Sequence, residues 1–227
     1  MTNFQSRICF GFAPAMLFPK SFEDPYQHFA AIQTCCHNTP YESFETFLPE
    51  DESMRKLCIQ SMQKNEIKLH YNAPGIFQID GEFNPCSENP EYRKNALNLA
   101  KKHICYAAEA ESPIIVFAAC PDKGIKKRPE LLKRFMEYFL ELAELCRTYH
   151  MEITIEPIER HRFKKLILGP FKDCADFMLE AQKNGAANAH LMIDTAHLPL
   201  MEESLETAIK ETQRAGLIHV HLGDAVL

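Results

Sequence analysis

The sequence predicts a (β/α)8-type barrel, a single domain over residues 1–227 that is incomplete at its C-terminal end with about seven strands. Three observations carry the prediction. Apolar runs of strand length alternate with amphipathic stretches of helix length from Arg7 to Leu222, and strict alternation of this kind builds a parallel sheet. One run, Pro113–Cys120 (PIIVFAAC), is apolar throughout, as a strand buried on both faces must be. No glycine-rich phosphate loop follows the first strand, which favours the barrel over a doubly wound sheet.

The elements follow in order. Arg7–Pro14 is a short apolar strand stopped by proline. Phe22–Cys36 repeats Phe22, Tyr26, Phe29, Ala30 and Ile32 at helical spacing, and Asp24-Pro25 suits its start. Tyr41–Phe47 is the second strand, with Glu45 near its end. Asp51–Lys64 places Met54, Leu57, Cys58 and Met62 on one stripe, the mark of a helix. Glu66–Gly75 (EIKLHYNAPG) alternates as the third strand, carries His70 near its end, and breaks at Ala73-Pro74-Gly75. Asn89-Pro90 opens a long helix reaching Ala110, and Pro113–Cys120 is the fourth strand. A basic loop, Lys123–Arg128, precedes a helix from Glu130 to Tyr149 with Pro129 in its first turn. Glu152–Pro157 is the fifth strand. A long loop, His161–Pro170, leads to a helix over Lys172–Lys183 that Asn184-Gly185 ends. The strand Leu191–Asp194, a helix Glu202–Ala215 capped by Gly216, and the strand Leu217–Leu222 complete the pattern.

Composition bounds the function. Hydrophobic residues make up 46% and charged residues 25% of the 227, enough to bury one large core. A net charge of -6 and a pI near 5.9 argue against nucleic acid as the partner, because phosphate backbones need a basic surface. No apolar run reaches the roughly 20 residues of a membrane helix, and the polar N-terminus gives no signal peptide. A cytoplasmic protein without membrane attachment is expected. Nine cysteines, an odd number lying mostly within apolar patterns, read as buried thiols of a reducing compartment rather than as disulfides. Cys35-Cys36-His37 has no second Cys/His pair at zinc-finger spacing. Seven strands leave open sheet edges with unpaired backbone, so association into a homo-oligomer is expected.

Three stretches concentrate the chemistry: Ile155–Arg160 (IEPIER), Leu191–Leu198 (LMIDTAHL) and Ile218–Asp224 (IHVHLGD). Each is an apolar strand that ends in metal-liking side chains. Parallel strands bring their C-terminal ends to one rim, where barrel enzymes carry their active residues. Parity puts Glu152, Thr154 and Glu156 on one face, and that face must point inward because Ile153 and Ile155 need the helices. Glu156, Asp194 and His221 would then converge as ligands of a divalent cation, which compensates carboxylates in a barrel mouth. The plain alternative is that Glu156 and Asp194 form salt bridges to Arg160 or to lysines. His197 is a candidate ligand, substrate donor or loop histidine, with substrate contact favoured. His219 lies one layer deeper than His221 and reads as a packed or supporting histidine. His70, and more weakly Glu45, are candidates for substrate contact. Glu159 and Arg160 either contact a polyol or pair with each other.

In this order and spacing, IEPIER, MIDTAH and HVHLGD resemble the xylose isomerase-like superfamily, which includes tagatose/psicose-type 3-epimerases, hydroxypyruvate isomerase, inosose-processing enzymes and endonuclease IV. The resemblance implies that Glu156, Asp194 and His221 are metal ligands and that Glu156 also transfers protons. It implies that His197 hydrogen-bonds sugar oxygens near the carbonyl. The epimerases carry a second catalytic glutamate on an eighth strand and an arginine after the seventh-strand motif, where this sequence has Ala225-Val226-Leu227. The early-strand histidine of endonuclease IV has a counterpart in His70, but its fourth-strand histidine meets only Ala118, Ala119 or Cys120.

The function expected is a divalent-metal-dependent isomerase or epimerase of ketoses or polyols, acting by proton abstraction next to a carbonyl with a metal-stabilised enediolate. Mn2+ or Mg2+ suits the carboxylate-rich set, with Zn2+ or Co2+ as alternatives because of the histidine. The rival readings are an endonuclease IV-like metal phosphodiesterase and a degenerate barrel that binds a sugar without turnover.

Overall fold

The computed structural model describes residues 8–73 and 81–224. They form two compact units, one of residues 8–73 with 106–113 and one of residues 81–105 with 114–224. Arg7, Pro74, Gly75 and residues 225–227, which figure in the sequence reading, lie outside the described residues.

In the first unit three parallel strands pair in sequence order: β1 (Gly11–Phe12), β2 (Ser43–Thr46) and β3 (Lys68–Asn72). Two helices connect them, α1 (Pro25–Asn38) and α2 (Glu52–Lys64). Both begin where the sequence supplies a cap. Asp24 accepts the Tyr26 N–H at 2.8 Å ahead of Pro25, and Asp51 accepts the Met54 N–H at 2.9 Å. The first strand is shorter than predicted, since residues 8–10 are not in strand; it stops before Pro14, which starts a helical turn, Pro14–Leu17. The core is Ile32, Phe44, Leu48, Met62 and Tyr71, all within 2% of full burial.

The segment after α3 (Pro90–Glu109) is tied to this unit by two buried polar side chains. Ser112 Oγ donates to the Leu69 carbonyl at 2.7 Å and accepts the Tyr71 N–H at 3.1 Å. Arg55 donates to Glu109 at 2.7 Å and to the carbonyls of Pro49 and Glu50, with its guanidinium 4.1 Å above the Tyr106 ring. A buried charge is tolerated only with such a full set of partners.

The second unit repeats the pattern with four parallel strands in sequence order: β4 (Ile114–Ala118), β5 (Glu152–Glu156), β6 (Ala189–Asp194) and β7 (Leu217–His221). Its helices include α4 (Arg128–Thr148), α5 (Phe171–Lys183) and α6 (Leu205–Ala215). All five residues of β4 are buried, as its unbroken apolar run predicts. Phe135, Phe139 and Phe177 pack between α4 and α5 with ring centroids 5.5–6.3 Å apart. The helix expected from Glu202 begins later. Glu202 takes a left-handed conformation (φ 59°) that ends a short helix, Leu198–Met201, and Ser204 then caps α6 by accepting the Thr207 N–H. Gly216 ends α6 at φ 89°, and a Cβ there would meet His190 Nδ1 at 2.5 Å.

All nine cysteines are free thiols, and burial pushes the Cys58 thiol up to about 12. Cys35 and Cys36 are both buried. Among the described residues no helix is long and apolar enough to cross a membrane.

The first unit contains a pH-sensitive group. His28 is 1% exposed, and its Nε2 donates to the Phe47 carbonyl at 2.9 Å. Burial lowers its pKa from 6.5 to about 4, against the raising effect of that bond. The unfolded chain therefore takes up the proton first, and stability falls as pH drops from about 6.5 through about 4. The full loss is about 3 kcal/mol. Urea unfolding midpoints of wild type and His28→Gln measured down this range should diverge, with wild type losing more; parallel curves would refute the role of His28.

Candidate functional site

The site grows from the C-terminal ends of β5, β6 and β7. Asp194 closes β6 and His221 closes β7, and the two are register partners in the parallel ladder. Glu156 closes β5. Each exit is fastened by local bonds. Asp194 Oδ1 accepts the Ala196 N–H at 2.8 Å and caps the 3-10 turn Thr195–His197, which leaves Oδ2 for the site. Thr195 Oγ1 donates to the Gly223 carbonyl at 2.7 Å and accepts the Gly223 N–H at 2.9 Å, joining the exits of β6 and β7. Leu198, next to His197, is buried with Phe171, Ile193 and Ala208, so apolar packing holds the turn against the barrel wall.

The loop after β5 is a folded-back ribbon. Ile158 N–H donates to the Leu168 carbonyl, Leu166 N–H to Glu159, and Ile167 N–H to Cys120 beyond β4. The ribbon closes only around a glycine. A Cβ on Gly169 would lie 2.9 Å from both the Arg160 nitrogen and the Ile158 carbonyl oxygen. Arg160 braces the same loop, donating to the Ile167 carbonyl at 2.6 Å and to Asp173 at 2.7 Å.

Glu156, Asp194, His197 and His221 converge in this setting. His221 Nδ1 lies 3.6 Å from Glu156 Oε1 and 3.5 Å from Asp194 Oδ2. His197 Nε2 lies 3.4 Å from Glu156 Oε1 and 3.9 Å from Asp194 Oδ2. These separations exceed a good N–H···O bond. They equal or slightly exceed the about 3.0–3.4 Å between neighbouring ligand atoms bound at about 2.1 Å to one divalent ion. Ligand atoms of Glu156, Asp194 and His197 all lie within 4.8 Å of one another. The residues present therefore fit a divalent cation by both donor chemistry and spacing.

The electrostatics agree. Burial of Asp194 opposes its ionisation, yet His221, the Ala196 N–H and the His197 charge hold its carboxyl below the usual carboxylate range. Burial likewise opposes a charge on His197, but Glu156, Asp194 and Glu159 raise its pKa above the ordinary imidazole value. The carboxylates of this pocket demand positive charge.

His70 lies in the first unit on β3, in register with Glu45 on β2, and Asn72 Nδ2 donates to Glu45 Oε1. The His219 and His221 rings meet edge-on at 5.0 Å, in keeping with a supporting histidine. Glu159 is 1% exposed and turns toward His197 rather than outward. The contribution of Thr195 and Leu198 to placing the site escaped the sequence reading; the apolar Leu-Pro-Leu after His197 was the only signal.

Residues 29–226 match the family described as xylose isomerase-like TIM barrel. The chain belongs to the xylose isomerase-like TIM-barrel family. The barrel class expected from the strand–helix alternation is borne out, with seven parallel strands among the described residues. No curated protein matches the sequence significantly. Solved members of similar fold include D-psicose 3-epimerase from Clostridium cellulolyticum H10, crystallised with D-tagatose, at TM-score 0.78 and 18% identity over 95% of this chain and 73% of that one. The 3-keto-D-glucoside 4-epimerase of E. coli aligns at TM-score 0.71 and 15% identity, over 94% and 78% of the two chains. An AP endonuclease of family 2 from Brucella melitensis aligns at 0.68 and 14%, with the same coverage. Identities this low establish a shared fold.

A cation that binds the native site stabilises the fold by linkage. Free Mn2+ at one hundred times its Kd should contribute about 2.7 kcal/mol and raise the melting temperature by about 5–10 °C. Asp194→Asn should lose the shift. An unmoved wild-type midpoint in saturating Mn2+ would show that this pocket does not take the ion.

Proposed function

We propose that this chain is a divalent-metal-dependent sugar isomerase or epimerase that works by proton abstraction next to a carbonyl. The observation that carries the reading is the convergence of Glu156, Asp194 and His221 at adjacent strand ends, with His221 Nδ1 3.6 and 3.5 Å from the two carboxylates. The sugar epimerases among its structural neighbours support the same reaction class.

Asp194, His221 and Glu156 would hold the ion. Bound there, it would supply Lewis acidity for a ketose carbonyl and for the negative charge that develops beside it. Glu156 takes the proton from the carbon beside the carbonyl, as a positioned general base does. Its carboxylate is 5% exposed at the end of a rigid strand, so its direction is fixed before the substrate arrives. The substrate class is a small sugar carrying a carbonyl and a neighbouring hydroxyl. Mn2+ or Mg2+ is favoured, with Zn2+ or Co2+ as alternatives.

The expected homo-oligomer has support in Ile218 and Val220 of β7 and Leu222 just after it, exposed at 42%, 45% and 84%. A strictly monomeric species in sedimentation would refute it.

Ketoses incubated with the Mn2+-loaded protein in deuterated water should incorporate deuterium beside the carbonyl. Glu156→Gln should retain the fold and abolish incorporation, and His221→Ala should lower bound Mn2+. Exchange at wild-type rates in Glu156→Gln would exclude that residue as the base.

A further inference from the structure

Two loops of the second unit run against the charge of the whole chain, which is net -6. Residues 122–128, after β4, and 161–165, after β5, together hold seven Lys or Arg against one carboxylate, Asp122. Backbone bonds keep the two loops side by side. Pro121 and Leu166 form an antiparallel bridge, the Asp122 N–H donates to the Lys165 carbonyl at 2.7 Å, and the Ile167 N–H donates to Cys120. Three of the cations have partners: Lys127 meets Glu88, Arg128 meets Asp122, and Arg162 meets Glu202. Lys123, Lys126, Lys164 and Lys165 are exposed and make no ion pair among the described residues.

Like charges pinned together repel, so this ridge opposes folding rather than assisting it. Lys165 adds backbone strain, with a left-handed φ of 55° that few residues other than glycine adopt readily. Strain of this kind concentrates where a chain binds something. The ridge is also joined to the candidate site. The Lys164 N–H donates to Glu159 Oε1 at 2.7 Å, and Oε2 of the same carboxylate lies 3.4 Å from His197. The opposite flank differs in sign. Residues 195–204 and 222–224, which leave β6 and β7, hold Glu202, Glu203 and Asp224 and no Lys or Arg.

We propose that Lys164 and Lys165 bind a phosphate at the end of the sugar remote from its carbonyl, with Lys123 and Lys126 strengthening the attraction. The substrate is then a phosphorylated ketose. This inference deepens the isomerase reading given above and rests on it. Lysine ammonium groups on flexible stems can close around a dianion at an open rim, and a cationic rim speeds the arrival of an anionic substrate. A single phosphate fits the one-sided charge better than a nucleic acid does, because a polyanion lying across the mouth would meet the carboxylates beyond β6 and β7.

Deuterium exchange in the Mn2+-loaded protein, measured for D-fructose, D-tagatose and their 6-phosphates, tests the assignment. The wild type should favour the phosphorylated sugars by about 10-fold or more in kcat/KM, chiefly through KM. That preference should shrink as salt rises from about 0.05 to about 0.5 M. Lys164→Ala/Lys165→Gly should lose the preference while melting close to the wild type, since both side chains are exposed and glycine accepts the left-handed φ. Equal kcat/KM for sugars and sugar phosphates in the wild type overturns the inference and leaves the proposed function standing. A preference that survives in the double variant overturns it as well. Exchange into none of the four compounds overturns both readings. Duplex DNA that binds more tightly than the sugar phosphates, in a manner the variant abolishes, assigns the ridge to a polyanion and overturns the inference.

Discussion

The carboxylates of Glu156 and Glu159, 5% and 1% exposed, share one pocket with the partly buried Asp194, and the rest of the site answers to that burial. An ionised carboxylate withdrawn from water is destabilising unless something positive or proton-donating faces it. Two backbone N–H groups serve one oxygen of Glu159. His197 and His221 stand among the remaining oxygens, and the raised pKa of His197 records how strongly these draw a positive charge. A proton on imidazole and a divalent cation are two answers to one electrostatic demand.

The scaffold keeps those charges from relaxing apart. Parallel pairing sets Asp194 beside His221, and the bonds of Thr195 to Gly223 prevent the two exits from splaying. Leu198 anchors the turn that carries His197 into the apolar cluster around Phe171 and Ile193. The loop after β5 is locked by its ribbon bonds, by the close approach at Gly169 and by the Arg160 clamp on Asp173. The loop-borne Glu159 and His197 are thereby held beside the residues that close the strands.

Much of this was legible in the sequence, for local reasons. The caps at Asp24 and Asp51 and the stop at Gly216 are short-range signals that the helices obey. The placement of Glu156, Asp194 and His221 at strand ends followed from apolar runs that break off at polar residues. Where prediction and structure part, a local choice intervened. Only Gly11–Phe12 of the first predicted strand pair, and the left-handed Glu202 delayed the last helix until Ser204.

The amino-acid sequence alone determined the alternation of elements, the burial of β4 and the three strand-end residues of the site, because periodicity and strand parity are properties of neighbouring residues. Only the tertiary structure decided where Glu159, Arg160 and His197 point. These side chains leave from loops and turns, where no period constrains direction, and their partners lie five to forty-one residues away at Lys164, Asp173 and Glu156. Such contacts exist only once strand register and loop closure have brought the distant segments together.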